Sequence, residues 1–226
     1  MTQTSPRRRT RAESQEANRR ALLDAARALV GEDPTVRLET LAEAAGLTTG
    51  AVYSIFGSKS DLLFALLVDE LGRADLVAPL LAEPELSLPQ AIGHYVDTWQ
   101  AAYAGDAKGQ AAFELNVMLS ALDDERLLEQ LAEALAGDVE QLAAALEGRA
   151  VGPDDARVTG PAEAREVAEA VKAVLTGFGL RRPVSGDTSA LARRSCVALA
   201  GLVADHDRAA TGVLGVEAQA QPVQRA

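Results

Sequence analysis

The stretch "LETLAEAAGLTTGAVYSIF" (Leu38–Phe56) has the spacing of two short helices joined by a tight turn. Ala42 is small at a position where the two helices would cross closely. Gly46 follows four residues later, where the chain must take a left-handed backbone conformation that glycine adopts at little cost. Apolar residues occupy the positions that would face a core, namely Leu41, Leu47, Val52 and Ile55. This spacing predicts a helix-turn-helix, the alternative being two ordinary helices with a glycine cap.

The opposite face of the second predicted helix carries residues suited to a polar surface: Thr48, Thr49, Gly50, Tyr53 and Ser54. The second helix of a helix-turn-helix enters the major groove of DNA with its N-terminus first. Amides and hydroxyls at that end can hydrogen-bond phosphate oxygens. Gly50 would let the backbone approach DNA closely, and Tyr53 offers a hydroxyl for phosphate and a ring for a thymine methyl. We therefore interpret this face as a DNA-binding surface.

The region resembles the tetracycline-repressor (TetR) family of bacterial transcription regulators. The resemblance runs from "ANRRALLDAARALV" (Ala17–Val30) through "LETLAEAAGLTTGAVYSIFGSKSDLLFALL" (Leu38–Leu67). It includes the glycine-led turn, a short second helix with Tyr53, the aromatic Phe56 and then Lys59. The resemblance implies DNA contacts at the matching positions, which are Thr48, Thr49, Gly50, Tyr53, Ser54 and Lys59, with Lys59 on a phosphate.

Two positions depart from the family pattern. The family often has Thr or Ser at the start of the first of these helices, where this chain has Arg37 and Leu38. Arg37 could contact phosphate instead, or Thr35 could cap the helix. Ser54 and Ile55 stand where the family often has His or Tyr, which leaves fewer long side chains to read bases. The sequence therefore does not reveal the operator.

Composition and patterning favour helices along the whole chain. Alanine and leucine are abundant, and these residues cost little free energy in a helix. No stretch alternates apolar and polar residues as a strand would. Further helices are predicted over residues 15–30, 59–71, 88–103, 108–122, 123–146, 162–178 and 188–208, and Gly137 is a candidate break in the fifth of them. Pro79, Pro84 and Pro89 mark a predicted linker. Capping boxes are predicted at two helix starts, formed by Ser58 with Asp61 and by Ser87 with Gln90. The predicted fold class is all-α, with an N-terminal three-helix DNA-binding domain and a larger helical domain.

We divide the chain into a disordered basic arm (1–15), a helix-turn-helix domain (16–60), an effector-binding and dimerisation domain (61–211) and a flexible tail (212–226). The resemblance implies that the second domain binds a small effector and dimerises through its last two long helices. Apolar stripes on these helices would suit such a bundle, the alternative being an internal core. The stripes are Val167, Val171, Val174, Leu175 and Phe178 on one helix and Leu191, Cys196, Leu199, Leu202 and Val203 on the other.

The few aromatic residues indicate a candidate ligand pocket. Tyr95, Trp99 and Tyr103 recur every four residues, which places them on one helix face. Pockets are mostly apolar with a few polar groups, and simple core packing is the alternative. The candidate ligand-binding residues are Tyr95, Trp99, Tyr103, Phe113, Asn116, Val117, Met118 and Phe178.

Charge is distributed unevenly along the chain, whose formal net charge is −11. Residues 1–59 hold nine Lys and Arg against seven Asp and Glu, whereas residues 60–226 hold thirteen against twenty-six. A basic end attracts DNA phosphates, and an acidic body repels them. The first fifteen residues taken alone would suit a solvated charged tail equally well.

The sequence offers little for catalysis or metal binding. It holds two His and one Cys, and it lacks a Walker loop, a dinucleotide-binding glycine pattern and a His/Cys metal spacing. Cys196 cannot form an intrachain disulfide, which agrees with a reducing cytosol. No apolar run approaches the ~18–20 residues of a membrane helix. We therefore expect a cytoplasmic protein that is not an enzyme, has no cofactor or metal and engages no membrane.

These observations favour sequence-specific regulation of transcription. We expect a homodimeric repressor that binds an inverted-repeat operator in double-stranded DNA and is released by a small, largely apolar effector. A transcriptional activator of the same fold is one alternative, because the sequence does not distinguish steric blocking from polymerase recruitment. A helical protein-interaction module without DNA binding is the other.

Overall fold

The computed structural model describes residues 10–33, 35–73, 75–152 and 157–214. Within these ranges the regular structure is helical apart from an isolated antiparallel bridge between Ala150 and Val158. The predicted all-α class is confirmed. The helices are α1 (Arg11–Glu32), α2 (Leu38–Ala44), α3 (Thr49–Phe56), α4 (Lys59–Arg73), α5 (Ala78–Leu81), α6 (Leu88–Ala102), α7 (Ala107–Leu122), α8 (Glu125–Leu146), α9 (Pro161–Ser185) and α10 (Ser189–Leu214).

The first helix begins earlier than predicted. The Thr10 hydroxyl accepts a hydrogen bond from the Glu13 amide at 3.1 Å, and the Glu13 carboxylate accepts one from the Thr10 amide at 2.7 Å. This reciprocal pair is a capping box, which satisfies two amides at the helix start. Residues 11–15 of the predicted disordered arm are therefore helical, and residues 1–9 of it lie outside the described residues.

Helices α1 to α4, α7 and the first part of α8 belong to one compact unit, made of Met1–Ala74 and Gly105–Ala134. Its extent differs from the predicted domain 16–60, because Phe113 and Val117 of α7 are buried in the same core as α1 to α4. That core also contains Leu22, Leu23, Ala26, Val30, Val36, Leu38, Leu41, Ala42, Val52, Leu62, Leu63 and Leu66.

The first turn of α7 meets the end of α1 backbone against backbone. A Cβ atom at Gly109 would lie 1.9 Å from the carbonyl oxygen of Gly31, so glycine is required there. Gly109 is buried, and its amide donates to the Asp106 carboxylate at 3.1 Å, which caps α7. This close approach sets the position of α7 on α1.

The second compact unit comprises Asp75–Ala104 and Leu135–Ala226, and it contains α5, α6, the rest of α8, α9 and α10. Helix α10 packs against both α6 and α9. The buried side chains of these three helices are largely apolar: Leu88, Ala91, Ile92, Tyr95 and Val96 in α6, Ala164, Val167, Ala168, Val171 and Leu175 in α9, and Ala192, Cys196 and Ala200 in α10.

Helix α9 continues to Ser185, beyond the predicted end at residue 178. Pro183 lies in its last turn, where it removes only one hydrogen bond near the helix end. Arg182 holds this turn by donating to the carbonyls of Tyr103 and Ala104. The predicted break after Phe178 is therefore wrong.

Three other predicted boundaries differ from the structure. Helix α8 is continuous through Gly137, so the candidate break there is absent. Helix α10 reaches Leu214, past the predicted start of the tail at residue 212, and residues 215–226 lie outside the described residues. The predicted linker contains the short helix α5, with Pro79 in its first turn, where proline is tolerated.

Arg149 is a buried cation that ties several segments of the second unit together. Its guanidinium donates to four carbonyls: Ala145 at 2.6 Å, Leu80 at 2.7 Å, Glu83 at 2.9 Å and Leu86 at 3.1 Å. Burial lowers the pKa of Arg149, and the nearby carboxylates of Glu85 and Glu83 oppose that shift. These bonds link the residues after α8 to α5 and to the turn before α6.

Candidate functional site

The segment from α2 to α3 forms the predicted helix-turn-helix. Gly46 has φ +68°, the left-handed conformation expected for the turn. The Leu47 amide donates to the carbonyl of Ala42 at 2.8 Å, which closes the turn onto α2. Ala42 and Val52 are buried at 1% and 0% exposure and belong to the same apolar core.

The outer face of α3 presents most of the predicted DNA-contacting residues. Tyr53 is 56% exposed, and Thr48, Gly50 and Ser54 are exposed as well, whereas Thr49 is half-buried. The Thr48 hydroxyl accepts from the Ala51 amide at 3.2 Å and so caps α3. Its O–H remains able to donate, for example to a phosphate oxygen.

Lys59 lies at the first position of α4, directly after the turn that ends α3. Gly57 has φ +91°, and its amide donates to the carbonyl of Tyr53 at 3.0 Å. Ser58 accepts from the Asp61 amide at 3.0 Å and donates its hydroxyl to the Asp61 carboxylate at 2.6 Å. The Asp61 side chain therefore bonds the Ser58 hydroxyl, whereas a full capping box would place it on the Ser58 amide.

Arg37 precedes α2 as an exposed residue with no side-chain cap on the helix. The suggestion that Thr35 provides this cap is wrong. The amide and hydroxyl of Thr35 both donate to the Asp33 carboxylate, at 2.8 and 2.6 Å. These bonds hold the pKa of Asp33 below its usual range, with a smaller contribution from the charge of Lys59.

A further cation lies against the end of α3. The guanidinium of Arg19 stands over the Phe56 ring, 5.6 Å from its centroid, in a cation–π contact. Sequence reasoning did not single out Arg19, because a cation–π pair between residues far apart in the chain has no local pattern. The contact ties α1 to the C-terminal end of α3.

The second unit contains a buried tyrosine with an unsatisfied hydroxyl. Tyr95 is fully buried, and its hydroxyl has no hydrogen-bond partner within the part of the chain that the structure describes. The Lys172 ammonium lies over the Tyr95 ring, 5.2 Å from its centroid, and is paired with the Asp138 carboxylate. Burial, with a smaller contribution from Asp138, raises the pKa of Tyr95 well above its usual value. Lys172 and Asp138 were not among the predicted site residues.

The other candidate ligand-binding residues fall into two groups. Trp99 and Tyr103 pack with ring centroids 5.3 Å apart in the second unit, where Phe178 is half-buried. Trp99 also borders Gly179 of α9. Phe113 and Val117 belong to the core of the first unit, beside which Asn116 is half-buried and Met118 exposed on the same helix. The structure thus divides the candidate ligand-binding residues between two compact units, with Tyr95, Trp99, Tyr103 and Phe178 in the second and Phe113, Asn116, Val117 and Met118 in the first.

No single helix among the described residues is both long and apolar enough to cross a membrane. Two consecutive helices, Thr49–Phe56 and Lys59–Gly72, reach the required length and apolar character only when taken together, and the chain bends by 64° between them. The same residues contain no group of three or more His, Cys, Asp or Glu side chains that could hold a metal ion.

Residues 22–66 match the family model described as "Bacterial regulatory proteins, tetR family". No curated protein matches the chain. Among solved structures, it is similar to a putative TetR-family regulator from Mesorhizobium loti (TM-score 0.62, 13% identity, 86% of this chain and 97% of that one). A TetR regulator from Rhodococcus sp. RHA1 gives a TM-score of 0.58 at 18% identity, over 84% of this chain and 97% of that one. The multidrug binding protein EbrR, complexed with proflavin, gives 0.53 at 25% identity, over 80% and 99%.

Proposed function

We propose that the chain is a homodimeric repressor released from its operator by a small molecule, because residues 22–66 match the model of the tetR family of bacterial regulatory proteins. The observation that supports this most is the exposed outer face of α3, held by the buried Val52 and followed by Lys59. A transcriptional activator with the same DNA-binding face is the alternative.

The DNA-binding step uses the N-terminal end of α3. Thr48 caps that end, and the exposed Gly50 leaves the backbone open to close approach by a phosphate. Tyr53 and Ser54 are exposed on the same helix, and their side chains are proposed to reach the base edges. Lys59 supplies a positive charge for a phosphate at the start of α4. Arg37, exposed before α2, is a further phosphate contact in this proposal.

Dimerisation follows from the shortness of α3, which has eight residues and can cover only a few base pairs. A two-fold dimer doubles the contact and places half-sites about one helical turn apart, roughly 34–36 Å. Val167, Val171, Leu175 and Cys196 are buried within the chain, so they serve its internal core. Among the stripe residues whose side chains the structure describes, those left for a partner are the half-exposed Val174, Phe178 and Leu199 and the exposed Leu191. The side chains of Leu202 and Val203 lie outside the described part of the chain.

Effector binding is assigned to the second unit, around Tyr95, Trp99 and Tyr103. Two proteins of similar fold are described as complexes with proflavin or proflavine, namely EbrR and LfrR from Mycobacterium smegmatis. The unsatisfied Tyr95 hydroxyl favours a ligand that is largely apolar and carries a hydrogen-bond acceptor. Such a ligand releases DNA only if it binds the DNA-free protein more tightly than the DNA-bound protein.

We expect selection from a pool of random duplexes to enrich an inverted repeat, because each protomer would read one half-site. Lys59→Ala should weaken binding to the enriched duplex about 10–150-fold, since a charge-assisted hydrogen bond contributes about 1.5–3 kcal/mol. It should also reduce the salt slope, the steepness with which the logarithm of the affinity falls with the logarithm of the salt concentration, by about one. Tyr53→Ala should weaken binding as well. A gel-shift titration at several salt concentrations measures both quantities.

Lys108→Ala is the matched control, because it removes a lysine at the start of α7 instead of α4. It should leave affinity and salt slope close to those of the wild type. The proposal for this face is contradicted when Lys59→Ala and Tyr53→Ala both bind as the wild type does while their thermal unfolding is unchanged. Enrichment of a single half-site would argue against the dimer.

Ligands that release DNA should change the fluorescence of Trp99, the only tryptophan in the chain. Proflavin is the first probe, and titration with and without the enriched duplex measures its linkage to DNA. Tyr95→Phe should weaken an acceptor-bearing ligand about 2–10-fold, the effect of one neutral hydrogen bond. An effector site elsewhere is indicated if releasing ligands leave Trp99 emission flat and keep full potency on Tyr95→Phe and Trp99→Phe.

A further inference from the structure

The turn between α3 and α4 is held from outside by an arginine of α8. Asp61 uses one carboxylate oxygen to accept from the Ser58 hydroxyl at 2.6 Å. Its other oxygen accepts from the Arg126 guanidinium at 2.7 Å. The Asp61 side chain is only 18% exposed although it lies in the first turn of a surface helix. Both of its oxygens are therefore engaged within two residues of Lys59.

Arg126 is itself placed by its own helix start. It is the second residue of α8, and its guanidinium also contacts Asp124 at 3.3 Å and Gln130 at 3.4 Å. Leu127 and Leu131 of α8 bury their side chains against Phe64 and Leu67 of α4. All these residues belong to the first compact unit. The start of α8 is thus packed on α4 and aims Arg126 at Asp61.

A continuous path of contacts connects Arg126 with the DNA-binding face. Arg126 holds Asp61, Asp61 holds Ser58, and the neighbouring Gly57 amide is bonded to the Tyr53 carbonyl at 3.0 Å. Movement of the turn would shift both Tyr53 and Lys59. Without Arg126, Asp61 would also present an uncompensated negative charge close to where a phosphate must approach Lys59, and like charges repel.

We infer that Arg126 is a positioning residue for DNA binding, which acts through Asp61 and does not touch DNA. This inference rests on the proposed DNA-binding function. The positioning role of Arg126 is distinct from stabilising the fold, because its side chain is 53% exposed and partly exposed ion pairs contribute little to folding stability. Removing it should therefore lower DNA affinity while leaving the unfolding transition almost unchanged.

The experiment compares Arg126→Ala, Arg126→Lys, Asp61→Asn and the double variant Asp61→Asn with Arg126→Ala in the full chain. The probe is the duplex that the wild-type protein enriches from a random pool. Arg126→Ala should bind about tenfold more weakly, and Arg126→Lys should recover part of the affinity. In the Asp61→Asn background, Arg126→Ala should cause no further loss, because residues in one network are not additive.

Arg165→Ala is the matched control. Arg165 is also an exposed helix arginine paired with a carboxylate, Glu140 at 2.7 Å, but it lies in the second unit. It should bind the probe as the wild type does.

Three results overturn the inference. Unchanged affinity of Arg126→Ala shows that the contact does not matter for DNA. A salt slope lowered by about one when Arg126 is removed in the Asp61→Asn background shows that Arg126 meets a phosphate directly. An equal loss in the Asp61→Asn background shows that it does not act through Asp61. If the wild-type protein enriches no duplex and binds none, the proposed function fails first, and the inference fails with it.

Discussion

Replacing Gly109 by alanine should destabilise the first unit by roughly 3 kcal/mol, at the upper end of the cost of overpacking a core. The added methyl group would lie 1.9 Å from the Gly31 carbonyl oxygen and 2.7 Å from the carbonyl carbon. Backbone atoms cannot rotate away as a side chain can. The start of α7 must therefore separate from α1, which loosens the burial of Phe113 and Val117 in the shared core.

The direction of this effect is opposite to that of helix propensity. Alanine in a helix interior is more favourable than glycine by roughly 0.5–1 kcal/mol. Gly137→Ala is the matched control, because Gly137 lies inside α8 and a Cβ there would meet nothing within 4 Å. We expect that variant to be slightly more stable than the wild type. Urea unfolding measures both, and equal stability of the two variants would contradict the close approach at Gly109.

Arg149→Ala should lower the stability of the second unit by about 3–5 kcal/mol, because hydrogen bonds from a charged donor contribute about 1.5–3 kcal/mol each and several are lost together. Arg149 is 5% exposed, and the substitution removes one donor from each of four carbonyl groups, of which those of Leu80 and Glu83 keep a backbone amide donor. Each buried acceptor left unsatisfied costs about 1–3 kcal/mol, although water entering the space recovers part of that.

Arg149→Lys separates the contribution of the hydrogen bonds to stability from the contribution of the positive charge. Lysine keeps the positive charge but has its donors on one nitrogen, so it cannot reproduce bonds that Arg149 makes from different nitrogens, such as those to Ala145 and Leu80. We expect most of the destabilisation to persist. Thermal or urea unfolding measures it. A loss below about 1 kcal/mol for Arg149→Ala would show that the four bonds contribute little net free energy.

The helix-turn-helix was predictable because its determinants are local. Gly46 provides the left-handed turn, and the apolar spacing of Leu41 and Val52 sets the buried face within a few residues. The exposed positions of Tyr53 and Ser54 follow from the same periodicity. Local patterns of this kind also predicted most of the helices.

The partners of distant helices were not predictable in the same way. The apolar stripe of α7 shows that Phe113 and Val117 are buried, but a stripe does not state which helix covers it. From the sequence we therefore expected them to line a ligand pocket together with Tyr95 and Trp99, whereas the structure buries them in the same core as α1 and α4. The pairs of Lys172 with Asp138 and of Arg126 with Asp61 join residues 34 and 65 positions apart, and no local spacing marks them.

The first unit is formed by two stretches of the chain that are separated by residues 75–104, and this affects how it can fold during synthesis on the ribosome. Helices α1 to α4 leave the ribosome first, but the unit is completed only by residues 105–134. At about 5–20 residues per second, translating residues 75–134 takes roughly 3–12 s. During that interval the apolar face that later covers Phe113 and Val117 has no partner from its own chain. Until α7 arrives, that apolar face is open to contacts with other chains, and exposed apolar surface of this kind makes partly folded chains prone to aggregation.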